Sequence, residues 1–221
     1  MYNGVKCLIL TAAMLLLAAP AFAQSVAERV QAQYKDITSM RAAFTQTLVH
    51  RESGAREERS GILSFVKPLL VRMETQKPAP ELLLVGKDAI WNVFPDEEMA
   101  YKYSLALAQD SRSIVQVMTG QASLDTDFFV ENQKKEGGLL VLDLYPKEAT
   151  QAMVEVRLWI DPKTNLIQRL RIFDFFGNEN EMGFSRQEVN IAIPAAEFSY
   201  TPPRGFVIED RTAGALAPGN L

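Results

Sequence analysis

The sequence predicts a mainly β fold with a helical lid, a strongly curved antiparallel sheet or incomplete (unclosed) antiparallel β barrel covered by short helices. Three observations predict it. Segments of two-residue alternation recur along most of the chain and are punctuated by Pro and Gly. Helical periodicity occurs at only two places beyond the N-terminal leader. No internal repeat and no linker divides residues 24–211, so they read as one domain.

The leader comes first. Residues 1–6 carry one basic side chain, Lys6, ahead of an apolar run over 7–19 that is too short to span a bilayer. Pro20 and Ala21-Phe22-Ala23 follow, a small-x-small cleavage signal, so residues 1–23 are expected to be an export signal cut before Gln24. This places the mature chain in the periplasm as an expectation. The only cysteine, Cys7, leaves with the leader, which excludes a disulfide frame, a thiol nucleophile and a Cys metal site. Loss of Lys6 makes the chain one unit more negative than its formal −4. Its basic residues are scattered, which argues against a nucleic-acid partner and against adhesion to anionic lipid by charge alone. No later segment is long and apolar enough to cross a membrane, and the mature protein is expected to be soluble.

The first mature element is a helix. Ser25 and Glu28 form a capping box, and Val26, Val30, Tyr34 and Ile37 share one face. From Arg41 the period becomes two: Phe44, Gln46 and Leu48 alternate with Ala43, Thr45 and Thr47, and Leu63 and Phe65 alternate with Ile62, Ser64 and Val66. The charged stretch 51–59, with Gly54 inside it, reads as a hairpin loop. Further strands are expected over 69–75, 81–85, 89–94 and 99–103, then a helix over 111–119 and a brief helical turn from Ser123. Strands resume over 128–133, 139–145, 153–160, 166–173, 181–191 and 197–200, with a strong turn at 161–165. The Gly/Pro-containing tail, 212–221, is expected to be flexible.

Catalytic chemistry is nearly absent. The single histidine, His50, borders the charged loop, so a two-His metal site cannot be built, and no nucleophile-elbow pattern accompanies it. Neither a phosphate-cradling glycine loop nor a dinucleotide fingerprint is present, and no cofactor is expected. Asp125 and Asp127 are spaced like the start of a calcium loop but lack its Gly and distal Glu, so they read as a helix start or a solvated turn.

Four stretches carry a resemblance. They are Ile37-Thr38-Ser39-Met40-Arg41-Ala42-Ala43-Phe44-Thr45-Gln46, the strand 61–68 ending in Val66-Lys67-Pro68, Ile90-Trp91-Asn92-Val93-Phe94-Pro95, and Phe198-Ser199-Tyr200-Thr201-Pro202-Pro203-Arg204-Gly205. In that order and spacing they resemble the outer-membrane lipoprotein carrier protein LolA family, over about residues 25–210. The resemblance implies an unclosed β barrel lidded by helices and a non-enzymatic, monomeric shuttle. Its cargo would be acylated lipoproteins, loaded by an inner-membrane Lol exporter complex and accepted by an outer-membrane receptor, LolB. It also implies that the residue before Pro68 reaches the lid and holds it closed. The family has arginine there and this chain has Lys67, which keeps the charge without the planar bidentate fork. Val71 and Met73 stand where the family often carries Phe and Trp, and Gly86-Lys87-Asp88 replaces its usual Asp-Gly turn.

Parity extends the resemblance to side chains. Lys67 shares a face with Leu63 and Phe65, and Val71 with Met73, so a lid-facing Lys67 places Leu63 and Phe65 toward the cavity. The residues expected to meet lipid are Phe44, Leu48, Leu63, Phe65, Val71, Met73, Leu83, Trp91 and Val93, with Lys67 gating the lid. Buried packing of the same residues satisfies the pattern equally well. Two other functions stay open at this level: a LolA-like module for a different lipid or glycolipid, including an envelope-stress sensor, and a hydrolase on a curved sheet.

Overall fold

The computed structural model describes residues 24–107, 119 and 123–213. The expected leader, the helix expected over 111–119 apart from its last residue, Thr119, and the tail from 214 onward lie outside the described residues. Helix α1 (Val26–Asp36) begins at Ser25, whose hydroxyl accepts from Glu28 N while the Glu28 carboxylate accepts from Ser25 N, so two N-terminal donors are satisfied reciprocally. A second helix, α2 (Leu124–Asp127), is the brief turn expected from Ser123, which caps it.

Twelve strands form one sheet: β1 (Ser39–Val49), β2 (Arg56–Val66), β3 (Leu70–Lys77), β4 (Glu81–Val85), β5 (Ile90–Phe94), β6 (Met99–Tyr103), β7 (Phe128–Glu136), β8 (Leu139–Pro146), β9 (Glu155–Ile160), β10 (Ile167–Phe173), β11 (Glu179–Val189) and β12 (Val207–Asp210). Their spatial order is β12-β6-β5-β4-β3-β2-β1-β11-β10-β9-β8-β7, so two meanders meet along β1 and β11 and the outer edges, β12 and β7, do not pair with each other. The barrel is therefore unclosed, as the sequence predicts. We call β2 to β6 with β12 the N-terminal wing and β7 to β11 the C-terminal wing. The β7 edge carries Glu131, Lys134, Lys135 and Glu136, charges that discourage edge-to-edge pairing with another chain.

Register shifts bend the sheet at four of its ladders, β1–β11, β2–β3, β7–β8 and β9–β10. At the β2–β3 shift a Cβ on Gly61 would stand 1.9 Å from Glu74 O, so only glycine admits this approach of the two backbones. On the concave side one apolar cluster runs through both wings. It joins Phe44, Leu63, Phe65, Val71, Val85 and Ile90 to Leu142, Leu158, Leu170, Met182 and Phe184, with Val26, Val30 and Tyr34 of α1 in the same cluster. A side chain of this size, fully buried, contributes about 1.5–3 kcal/mol. The convex side carries a second cluster, Leu82, Leu84, Val93, Ala100 and Phe198, confined to the N-terminal wing.

Three expectations need correction. The charged residues 56–59 are strand, not loop: the hairpin loop is only 50–55, and Arg59 bonds Glu57 at 2.6 Å and Glu81 at 3.0 Å, along-strand and cross-strand pairing that makes charge compatible with the ladder. Residues 197–200 are not a strand, because Ala195–Phe198 is a 3-10 turn following Pro194, which drives Phe198 into the convex cluster. Finally β12, unexpected from sequence, pairs parallel with β6, whereas every other ladder is antiparallel.

Candidate functional site

The concave face is the candidate site, and β-strand parity decides which side chains reach it. On β1, Met40, Ala42, Phe44, Gln46 and Leu48 share that face, and the unbroken β1–β2 register sets Met40 opposite Phe65, Ala42 opposite Leu63 and Phe44 opposite Gly61. The next ladder continues the row, with Leu63 opposite Met73 and Met73 opposite Leu83. Of the residues expected to meet lipid, Phe44, Leu63, Phe65 and Val71 are buried in the concave cluster, and Met73 and Leu83 pack against it half-buried. Tyr103, Leu105 and Leu107 pack on the same cluster.

Leu48, Trp91 and Val93 depart from the expectation. Leu48 has the right parity, but its cross-strand neighbours are Glu57 and Asn180, and it stands half-exposed beyond the apolar cluster. Trp91 and Val93 face the convex side, because the β4–β5 register pairs Trp91 with Leu84 and Val93 with Leu82, leaving Leu83, Val85 and Ile90 for the concave side. Trp91 meets Tyr200 edge-on with ring centroids 5.4 Å apart, beneath the segment that carries Phe198. Strand β4 reads Glu-Leu-Leu-Leu-Val, apolar on both faces, so alternation could not choose between them.

Helix α1 covers the C-terminal wing's part of the concave face. Its buried Tyr34 hydroxyl accepts from Ile167 N of β10 at 3.1 Å, and Gln31 accepts from Leu124 N of α2 at 2.8 Å. Burial pushes the Tyr34 phenol well above its usual range. Lys67, in the β2–β3 turn, donates through Nζ to the backbone carbonyl of Tyr34 and, at 3.3 Å, to that of Lys35. An ammonium at these carbonyls satisfies acceptors of the last helical turn and favours the helix dipole. Burial lowers the Lys67 pKa, and the nearby Asp36 carboxylate opposes that shift.

The concave face changes character toward the 50–55 end. Gln46 is buried beside Arg59 and Met182, and its Nε2 donates to Asn180 Oδ1 at 3.0 Å. Arg59 holds Glu81 of β4. A polar rim thus borders the apolar surface. Sequence reasoning singled out none of these residues; the one available signal was Gln46 as the polar member of an apolar alternation, since the others are ordinary strand charges until register brings them together.

His50 is exposed, with its backbone N–H bonded to Ala55 O at 2.9 Å. Asp127 accepts from Ser123 N at 2.7 Å at the start of α2. Among the described residues, no group of three or more His, Cys, Asp or Glu could hold a metal ion, and no helix is long and apolar enough to cross a membrane.

Known proteins place this geometry. A crystal structure of an uncharacterized conserved protein from Thermus thermophilus matches with a TM-score of 0.55 at 13% identity, covering 85% of this chain and 100% of that one, which shows a shared fold. A Chromobacterium violaceum protein named outer-membrane lipoprotein carrier protein is 30% identical over 199 residues, 89% of this chain and 94% of its own. One of the same name from Dechloromonas aromatica is 28% identical over 171 residues, 77% of this chain and 81% of its own. The family model described as outer membrane lipoprotein carrier protein LolA matches residues 35–201, from the end of α1 to the segment over the convex cluster. The chain therefore belongs to the outer membrane lipoprotein carrier protein LolA family.

Proposed function

We propose that this protein carries acylated lipoproteins through the periplasm, taking them from an inner-membrane exporter and delivering them to an outer-membrane receptor of the LolB kind. The observation that supports this reading is the concave apolar cluster, which spans both wings and includes the buried face of α1. A cover that shares the cluster it covers competes with any acyl chain for the same surface.

Magnitudes favour such competition. At about 0.8 kcal/mol per methylene, three chains of roughly fourteen methylenes each would release on the order of 34 kcal/mol if wholly buried. The practical ceiling for reversible association is about 18–21 kcal/mol. Displacing α1 from the cluster offsets part of the gain, so the cargo stays releasable and a receptor need offer only a somewhat better surface. Lys67 holds the closed form by tying the C-terminal end of α1 to the β2–β3 turn. Phe44, Leu63, Phe65, Val71, Met73 and Leu83 lie in or pack on the cluster that α1 shares, and they receive the chains as α1 gives up its place in it.

The test is transfer of a labelled lipoprotein from energised inner-membrane vesicles into the purified protein, followed by its passage to receptor-bearing outer membranes. A soluble one-to-one complex that the outer membranes then empty is the expected result. Failure to release lipoprotein from the vesicles would overturn the reading.

A further inference from the structure

The polar rim contains an unanswered acceptor. Gln46 is 8% exposed, its Nε2 is engaged with Asn180 Oδ1 at 3.0 Å, and its Oε1 is buried with no hydrogen-bond partner among the described residues. Native proteins rarely leave such an oxygen unpaired, because burial strips it of water without return. Its position is specific. Along β1 it follows Phe44 on the concave face, and across the sheet it lies between Met182 and Arg59, where the apolar surface meets the polar rim.

Charge narrows what this oxygen accepts from. The Arg59 guanidinium bonds Glu57 through Nε at 2.6 Å and Glu81 through Nη1 at 3.0 Å, so two carboxylates match its charge and the rim offers no net positive charge to an anionic headgroup. An ester linkage presents only acceptor oxygens and has no donor for the Gln46 carbonyl. A secondary amide presents an N–H at the head of its acyl chain, and that donor matches the unpaired acceptor.

Resting on the carrier reading above, we propose that Gln46 Oε1 accepts the N–H of an amide-linked acyl chain lying on the concave face, making the site selective for N-acylated over purely O-acylated cargo. The glutamine fixes the depth at which the chain's head stops, and the apolar cluster from Phe44 inward receives the tail. Asn180, by holding the Gln46 amino group, aims the carbonyl oxygen and acts as a positioning residue.

The experiment compares two probes by calorimetry with the full chain: N-dodecanoylglycine methyl ester and N-dodecanoylsarcosine methyl ester, which carries N-methyl in place of N–H. The wild type is expected to bind the N–H probe about five- to tenfold more tightly, the worth of one buried neutral hydrogen bond. In Gln46→Leu that ratio should fall to about one while the N-methyl probe still binds. Gln46→Met, closer in shape, gives the same comparison if the leucine variant folds poorly. Equal affinity of the wild type for both probes, or an unchanged ratio in the folded variant, overturns the inference and leaves the carrier reading intact. Binding of neither probe to the wild type overturns both.

Discussion

The two wings are covered on opposite faces. The C-terminal wing has its cover, α1, on the concave side, and its convex side is a ladder of charge around Trp159. The N-terminal wing has a cover on the convex side, where the segment bearing Phe198 lies over Leu82, Leu84, Trp91 and Val93. The convex ladder is dense: the Arg169 guanidinium lies 3.8 Å from the Trp159 ring centroid, Trp159 Nε1 donates to Glu136 at 3.2 Å, and Arg157 pairs with the buried Asp143. The convex cover of the N-terminal wing is pinned instead by Arg41, which bonds the Glu197 carboxylate at 2.6 Å, and by Arg72, which donates to Glu197 O. The two tryptophans, Trp91 and Trp159, both face the convex side: Trp159 is buried beneath its charges, whereas Trp91 is half-buried between Tyr200 and Lys102, whose Nζ lies 5.8 Å from its ring centroid. The lesson is that an apolar residue facing away from a cavity still needs a partner, and each wing found a different one.

Removing the apolar cover should have the largest effect. Phe198→Ala deletes a fully buried ring from the small convex cluster and is expected to cost about 3–5 kcal/mol in urea unfolding. Arg157→Ala leaves the buried Asp143 carboxylate without its partner and should cost about 2 kcal/mol, the partial exposure of Arg157 reducing the full buried-pair penalty. If the arginine variant proves the more damaging, the contrast between an apolar cover and a charged ladder is broken.

The concave cover is tested by pH and by Lys67. Folded Tyr34 keeps its proton where the unfolded chain has released it, so the unfolded state binds fewer protons and stability falls as pH rises past about 10. Below that value the contribution is fully present. The Tyr34 contribution to the slope should approach about 1.4 kcal/mol per pH unit, and Tyr34→Phe should lose that contribution while keeping those of Tyr145, Tyr200 and Lys67, measured as urea midpoints across that range. A Tyr34→Phe slope equal to the wild type's would show that α1 stays solvated. Lys67→Leu removes the ammonium at the C-terminal end of α1 and should cost about 1 kcal/mol. It should also increase retention of lipoprotein against the receptor; unchanged stability together with unchanged transfer would remove Lys67 from the lid. The smallest effect belongs to Arg169→Gln, which loses the cation–π contact with Trp159 for about 0.5–1 kcal/mol, read from the thermal midpoint.

Much of this was legible from local pattern. The α1 capping box, the β1 alternation through Phe44 and the placement of Leu63 and Phe65 all depend on residues a few positions apart, where helix and strand periods act directly. The limits of β4 and β6 came out as expected for the same reason, being bracketed by Pro80, Gly86 and Pro95. Leu48 failed because parity states which face a side chain takes and not how far the apolar surface extends along it.

By itself the sequence determined an alternating, punctuated chain that bends into a strongly curved antiparallel sheet or incomplete barrel, with one amphipathic helix needing a surface. Only the tertiary structure decided which face Trp91 and Val93 would take, because β4 is apolar on both sides and the β4–β5 register alone separates Leu83 from Leu82 and Leu84. It also decided that residues 207–210 return to pair with β6, and that Gln46 meets Met182 and Arg59 at the margin of the apolar face. Such contacts join residues far apart in the chain, and a local period carries no information about them.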